Sequence, residues 1–87
     1  MAKKSLLIVG NWKLWPKTSR EARATYREIA IKSKPSRQIK VVIAPPFPFL
    51  NAISRSTKVA LGAQEIFWES EGSFTGEVSG PMLRDMG

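Results

Sequence analysis

The 87-residue chain contains no cysteine and no histidine. Without cysteine there is no disulfide framework and no thiolate to hold a metal. Without histidine the commonest general base and metal ligand is missing, which removes any self-contained catalytic triad built on imidazole. Chemistry in this chain falls to lysine, glutamate, aspartate, asparagine or the backbone. Long apolar runs are also lacking. Leu6–Val9 and the proline-interrupted Val41–Leu50 fall well short of the ~20 residues that cross a bilayer. Lys3 and Lys4 ahead of an apolar run hint at a secretory leader, but the run is too short and Asn11, Trp12 and Lys13 follow at once. The expectation is a cytoplasmic protein with no membrane association.

What is present is ordinary globular sequence, 43% hydrophobic and 24% charged, and long enough for one small domain at most. Fourteen Lys+Arg against seven Asp+Glu leave a net charge of +7. That excess invites a nucleic-acid hypothesis. The basic residues are scattered, however, from Lys3 to Arg84, with no long like-charge block and no aromatic-basic or zinc-finger pattern. They read as solvated faces, and no nucleic-acid partner is expected.

Ser5–Val9 is a short Leu/Ile/Val run of the kind found in a strand buried on both faces, with a loop from Gly10 to about Lys17 after it. Thr18 and Glu21 form a T-x-x-E capping box for a helix whose Ala22, Tyr26, Ile29 and Ala30 share one side. Lys32–Arg37, with Pro35, ends that helix. Gln38–Ala44 is a second strand, stopped by Pro45, Pro46 and Pro48. Phe49, Leu50, Ala52 and Ile53 predict a short helix, and Thr57–Leu61 a third strand. The segment from Ala63 to about Ser79 is too irregular for a helix. Gly80–Gly87 can form one, with Ser79 as cap and Pro81 in its first turn.

Strands alternating with helices call for parallel pairing, either in an open doubly wound sheet or in part of a (β/α)8 barrel. Gly10-Asn11-Trp12-Lys13 has one glycine and matches neither G-x-G-x-x-G nor a Walker A loop. In both architectures, functional side chains gather at the carboxyl ends of the strands. Asn11 and Lys13 follow the first strand and offer an amide and a compact positive charge for a phosphate or a developing oxyanion. On spacing alone the more ordinary reading is a polar loop with a snorkelling lysine. The Pro45–Phe49 loop reads as a rigid turn. The long third loop, with Gln64, Phe67, Trp68, Phe74, Thr75 and Glu77, reads as an interface or as internal packing.

The order Gly10-Asn11-Trp12-Lys13-Leu14, Ala44-Pro45-Pro46-Phe47-Pro48-Phe49-Leu50, Gly62-Ala63-Gln64, Gly72-Ser73-Phe74-Thr75-Gly76-Glu77-Val78-Ser79 and Met82-Leu83-Arg84-Asp85-Met86-Gly87 strongly resembles the N-terminal third of the triosephosphate isomerase family. The likeness runs from Leu6 to Gly87. It implies an α/β fold comprising the first three β/α units of a (β/α)8 barrel, truncated, with residues 1–87 as the opening segment of one barrel domain. It further implies interconversion of dihydroxyacetone phosphate and D-glyceraldehyde 3-phosphate through an enediolate, in a homodimer, without metal or organic cofactor. On that resemblance Lys13 is the catalytic-site lysine, binding substrate and stabilising the enediolate, and Asn11 binds substrate beside it. Glu77 supports the site by helping to position Lys13. Gln64, Phe74, Thr75 and Gly76 belong to the interdigitating loop of the dimer, with Thr75 reaching toward the partner subunit's Asn11.

The family's histidine electrophile and glutamate base have no counterpart among these 87 residues, so the isolated chain is expected to be inactive. Trp15 departs from the family, which usually has a small polar residue there, most often asparagine. A competing reading is a short non-catalytic protein that pairs with a full-length subunit through the third loop.

Overall fold

The computed structural model describes residues 4–87. Three strands, β1 (Leu6–Asn11), β2 (Ile39–Ala44) and β3 (Val59–Leu61), alternate with three helices, α1 (Ser19–Lys32), α2 (Phe47–Leu50) and α3 (Gly80–Met86). The strands form one parallel sheet in the order β1-β2-β3. Each parallel neighbour needs a crossover connection, and α1 and α2 supply the two. The α/β class expected from the alternation is therefore the one observed.

The caps behave as the sequence predicts. Thr18 Oγ1 accepts from Glu21 N at 3.1 Å to open α1, and Ser79 Oγ accepts from Met82 N at 3.3 Å to open α3. Ala22, Tyr26 and Ala30 bury one face of α1 against Ile43, Phe49, Ile53 and Val59. Tyr26 ties the helix to the sheet: its hydroxyl donates to Val59 O and accepts from Ser56 N at 2.9 Å. Ser56 Oγ also accepts from Lys58 N at 3.0 Å. These bonds hold residues 56–58 in a turn, which is why β3 starts at Val59 and not at Thr57.

Two further boundaries differ from expectation. β1 runs on to Asn11 because Gly10 pairs with Ile43 and Asn11 with Ala44 in continuous register. At Gly10 the Ile43 side chain lies close, and a Cβ there would stand 2.9 Å from Ile43 Cδ1. Helix α2 is shorter than the apolar pattern suggests. Past Leu50 the chain tightens, with Ala52 N and Ile53 N both donating to Phe49 O, and Ile53 is still buried.

The expectation that the first strand is buried on both faces is corrected. Leu6, Leu7, Ile8 and Val9 are 62%, 65%, 52% and 54% exposed. β1 lies at the sheet edge, and the core formed by α1 is built on side chains of β2 and β3, so nothing among the described residues covers β1.

Candidate active site

The carboxyl ends of all three strands lie at one edge of the sheet, and the loops that leave them meet there. β1 delivers Asn11 and Lys13, β2 delivers Pro46, Phe47 and Pro48, and β3 delivers Gln64 and Glu65. Together with Leu14 these residues line an open depression of about 540 Å3. Asn11 and Lys13, singled out from their position after the first strand, are thus brought together with the end of the third.

A network of backbone contacts shapes the depression. Asn11 Oδ1 accepts from Lys13 N at 2.8 Å, an Asx-type turn that leaves the Nδ2 group of Asn11 to donate elsewhere. Trp12 N donates to Ala44 O at 3.0 Å, extending the β1–β2 ladder by one bond. Lys13 adopts φ 54°, the left-handed region. For a residue with a Cβ that conformation costs on the order of 1–2 kcal/mol, so neighbouring contacts must hold it. Gln64 Nε2 donates to Lys13 O at 2.9 Å and to Ala44 O at 3.0 Å. Lys13 itself is exposed, and no ion pair engages it among the described residues.

The third loop is organised around a neck. Phe67 N donates to Val78 O at 2.8 Å, and Phe67 bridges in parallel to Ser79. Residues 68–77 project beyond that neck and every one of them is exposed. Within the projection the aromatics pack on one another. Phe67 stacks on Trp68 with centroids 4.4 Å apart, and Phe74 leans on Phe67 at 4.7 Å. Gly72, at φ 142°, lies under the Phe74 ring, where a Cβ would come within 2.8 Å of it. Thr75, Gly76 and Glu77 stand in the exposed part of this loop. Glu77 forms no ion pair with Lys13 among the described residues, where the salt bridge found is Lys32–Glu28. Trp15 packs edge-on against Trp12, centroids 5.9 Å apart.

Gln64 is the residue whose position at the site the motifs alone did not reveal. Its place just after β3, the same place Asn11 and Lys13 hold relative to β1, was the available signal.

This is a parallel α/β arrangement with the polar side chains Asn11, Lys13 and Gln64 collected where the strands end, the place where sites form in parallel α/β folds. The family model described as triosephosphate isomerase matches residues 6–87, and the chain belongs to that family. Triosephosphate isomerase of Synechococcus sp. (strain JA-2-3B'a(2-13)) is 44% identical over 90 residues, a match covering 94% of this chain and 36% of that protein. Those of Citrifermentans bemidjiense and Moorella thermoacetica are 46% and 43% identical, each match covering 93% of this chain and 33% of the relative. The chain spans about a third of the length of the curated relatives it matches. No helix among the described residues is long and apolar enough to cross a membrane.

Proposed function

We propose that this chain supplies the first three β/α units of a (β/α)8 barrel that interconverts dihydroxyacetone phosphate and D-glyceraldehyde 3-phosphate in the cytoplasm. The observation that carries the reading is the depression at the carboxyl edge, where Asn11 and Lys13 stand side by side in a chain of this family. The ammonium of Lys13 attracts the anionic substrate and stabilises the negative charge that grows on the enediolate oxygen. Such a charge helps catalysis in proportion to how much better it fits the enediolate than the ground state. Asn11, with Oδ1 already engaged by Lys13 N, offers Nδ2 to a substrate oxygen.

Glu77 acts on the site through Lys13. Thr75, Phe74 and Gly76, in the projecting loop, pack into a second subunit, with Gln64 at the base of the same loop. No metal or organic cofactor enters the reaction. The proton transfers need an acid–base pair that a chain without histidine does not provide in the family's form, so the 87 residues alone carry the binding half of the site and do not turn over.

The test completes the barrel. Residues 6–87 are joined to the remaining two-thirds of the Synechococcus relative, and isomerisation of dihydroxyacetone phosphate is followed by a coupled assay. The expected result is turnover by the joined protein, loss of it in Lys13→Ala, and none from the 87-residue chain. A joined protein that folds but is inactive would overturn the functional reading. Turnover by the 87 residues that Lys13→Ala removes would overturn their incompleteness.

A further inference from the structure

We propose that the groove between α1 and the turn leading into β3 is a binding site for an organic polyphosphate, an anion with several phosphate charges and an apolar end. The proposal goes beyond the functional reading above and does not depend on it.

The groove encloses about 330 Å3, at the lower end of the range for small-molecule sites. One wall is a single stripe of α1, in which Arg23, Arg27 and Ile31 follow one another at four-residue spacing. The opposite wall is Ser54, Ser56 and Lys58. Buried Tyr26, Ala30 and Ile53 form the floor. Tyr26 fixes the walls against each other, because its hydroxyl bonds to both Ser56 N and Val59 O. Lys58 directly precedes β3, so the groove lies toward the amino edge of the sheet. The depression with Asn11 and Lys13 is at the other edge, and no residue lines both.

The charge of the groove is all of one sign. Arg23, Arg27 and Lys58 bring three positive charges, and no carboxylate lines it. The salt bridge found among the described residues is Lys32–Glu28, so none of the three is paired there. Arg23 and Arg27 are one helical turn apart, a like-charge pair that repels until an anion bridges it. Each guanidinium is a planar fork that takes phosphate oxygens two at a time. Two forks and the ammonium of Lys58 together match more negative charge than one phosphate monoester carries.

The groove is also graded along its length. Ile31, 70% exposed, comes one turn after Arg27, with Ala30 beside it in the floor. An inorganic ion leaves that end wet, whereas a ring or aliphatic group attached to the phosphates covers it and gains by doing so. The ligand therefore lies with its phosphates at Arg23 and Arg27 and its apolar end over Ile31. Walls on two sides and a floor between them favour a small molecule over a protein surface, which would touch only the rim.

The probe is ATP without divalent metal, titrated by calorimetry into the completed barrel described above. Saturable one-to-one binding is expected, tighter than that of inorganic triphosphate. Arg23→Gln and Arg27→Gln are each expected to weaken it by about tenfold or more, the worth of a charge-assisted hydrogen bond. Lys17→Gln removes the same charge outside the groove and is expected to change it less than about twofold. Ile31→Ser is expected to weaken ATP and leave inorganic triphosphate unchanged.

No saturable binding overturns the proposal. So does an equal loss in Lys17→Gln, which would mean diffuse attraction to the net charge of +7. Triphosphate binding as tightly as ATP, or an Ile31→Ser protein that holds ATP as the native one does, overturns the apolar end. Displacement of ATP by a lower concentration of an oligoglutamate peptide would make the groove a protein contact instead. All four substitutions are at exposed positions, and folding of each variant is checked by circular dichroism. Should the joined protein itself fail to fold, the same titration on the 87-residue chain, which carries every lining residue, decides the matter. Isomerisation is not the readout, so an inactive barrel overturns the functional reading and leaves this one standing.

Discussion

At Lys13 one residue carries both the positive charge that the proposed chemistry uses and a backbone conformation that side chains disfavour. The two properties separate by mutation. Lys13→Gly removes the charge and relieves the strain, and is expected to stabilise the completed barrel by about 0.5–1 kcal/mol, net of glycine's larger unfolded-state entropy. Lys13→Ala removes the charge and keeps the strain, so it gains nothing comparable. Thermal unfolding of the two inactive variants side by side reads the difference, and equal midpoints would mean that φ 54° costs little here. Tyr26 concentrates a different burden, since its hydroxyl satisfies Ser56 N and Val59 O together in a buried setting. Tyr26→Phe leaves those groups unpaired and is expected to destabilise by about 1–3 kcal/mol in denaturant unfolding. Asn11 and Lys13 were legible as candidates because the rule that sites form where parallel strands end needs only the strand and its next few residues. The contacts of Gln64 were not, since its partners lie 51 and 20 positions away.

Among the elements, α1 shows how much a local pattern specifies. Its cap, its buried stripe of Ala22, Tyr26 and Ala30, and its C-terminal lysine all appear where the pattern puts them. Thr18→Ala removes the acceptor for Glu21 N and is expected to cost about 1 kcal/mol. On the solvent side, Lys32 Nζ meets Glu28 Oε1 at 2.8 Å. The hydrogen bond from Lys32, and secondarily its charge, hold the Glu28 carboxyl below its ordinary value of 4.5, while Lys32 is raised above 10.5 by the same partner. The pair therefore supports the helix at intermediate pH. Its support is lost as pH falls through the lowered Glu28 value, and again as pH rises through the raised Lys32 value. In Lys32→Met an NMR titration is expected to find the Glu28 carboxyl back near its ordinary value, with little change in stability, since both groups are exposed. β1 is the contrasting case. Its apolar sequence signals burial on both faces, but burial is decided by what packs over a strand, and here the core beneath α1 is built on β2 and β3 while Leu6–Val9 stay exposed.

Taken whole, the molecule is a two-layer wedge of 47 × 36 × 20 Å, with a radius of gyration of 14.4 Å against about 12 Å for a compact chain of this length. Its accessible surface is 7064 Å2, where a compact monomer of this mass exposes roughly 5,100 Å2. The excess, roughly 2,000 Å2 on one chain, is more than the ~800 Å2 that each partner buries in a standard protein interface. Exposed Leu6–Val9 on β1 and Trp68, 84% exposed, contribute to it. Kept alone in solution, the 87 residues are expected to associate as concentration rises, and Leu7→Lys on the β1 edge to weaken that association. Light scattering that finds a monomer at every concentration would remove this prediction.

The sequence by itself determined the order of elements, the caps at Thr18 and Ser79, the parallel α/β class and the placing of Asn11 and Lys13 at a strand's end. Each depends on periodicity, capping chemistry or proline within a few residues. Only the tertiary structure decided that β1 lies open at the edge, that Tyr26 fastens α1 to β3, that Phe67 and Val78 close the neck of the third loop, and that Gln64 reaches across to hold Lys13. Those outcomes are bonds and contacts between segments far apart in the chain. No local pattern encodes such partners, because they meet only after the crossovers have brought the three strands side by side.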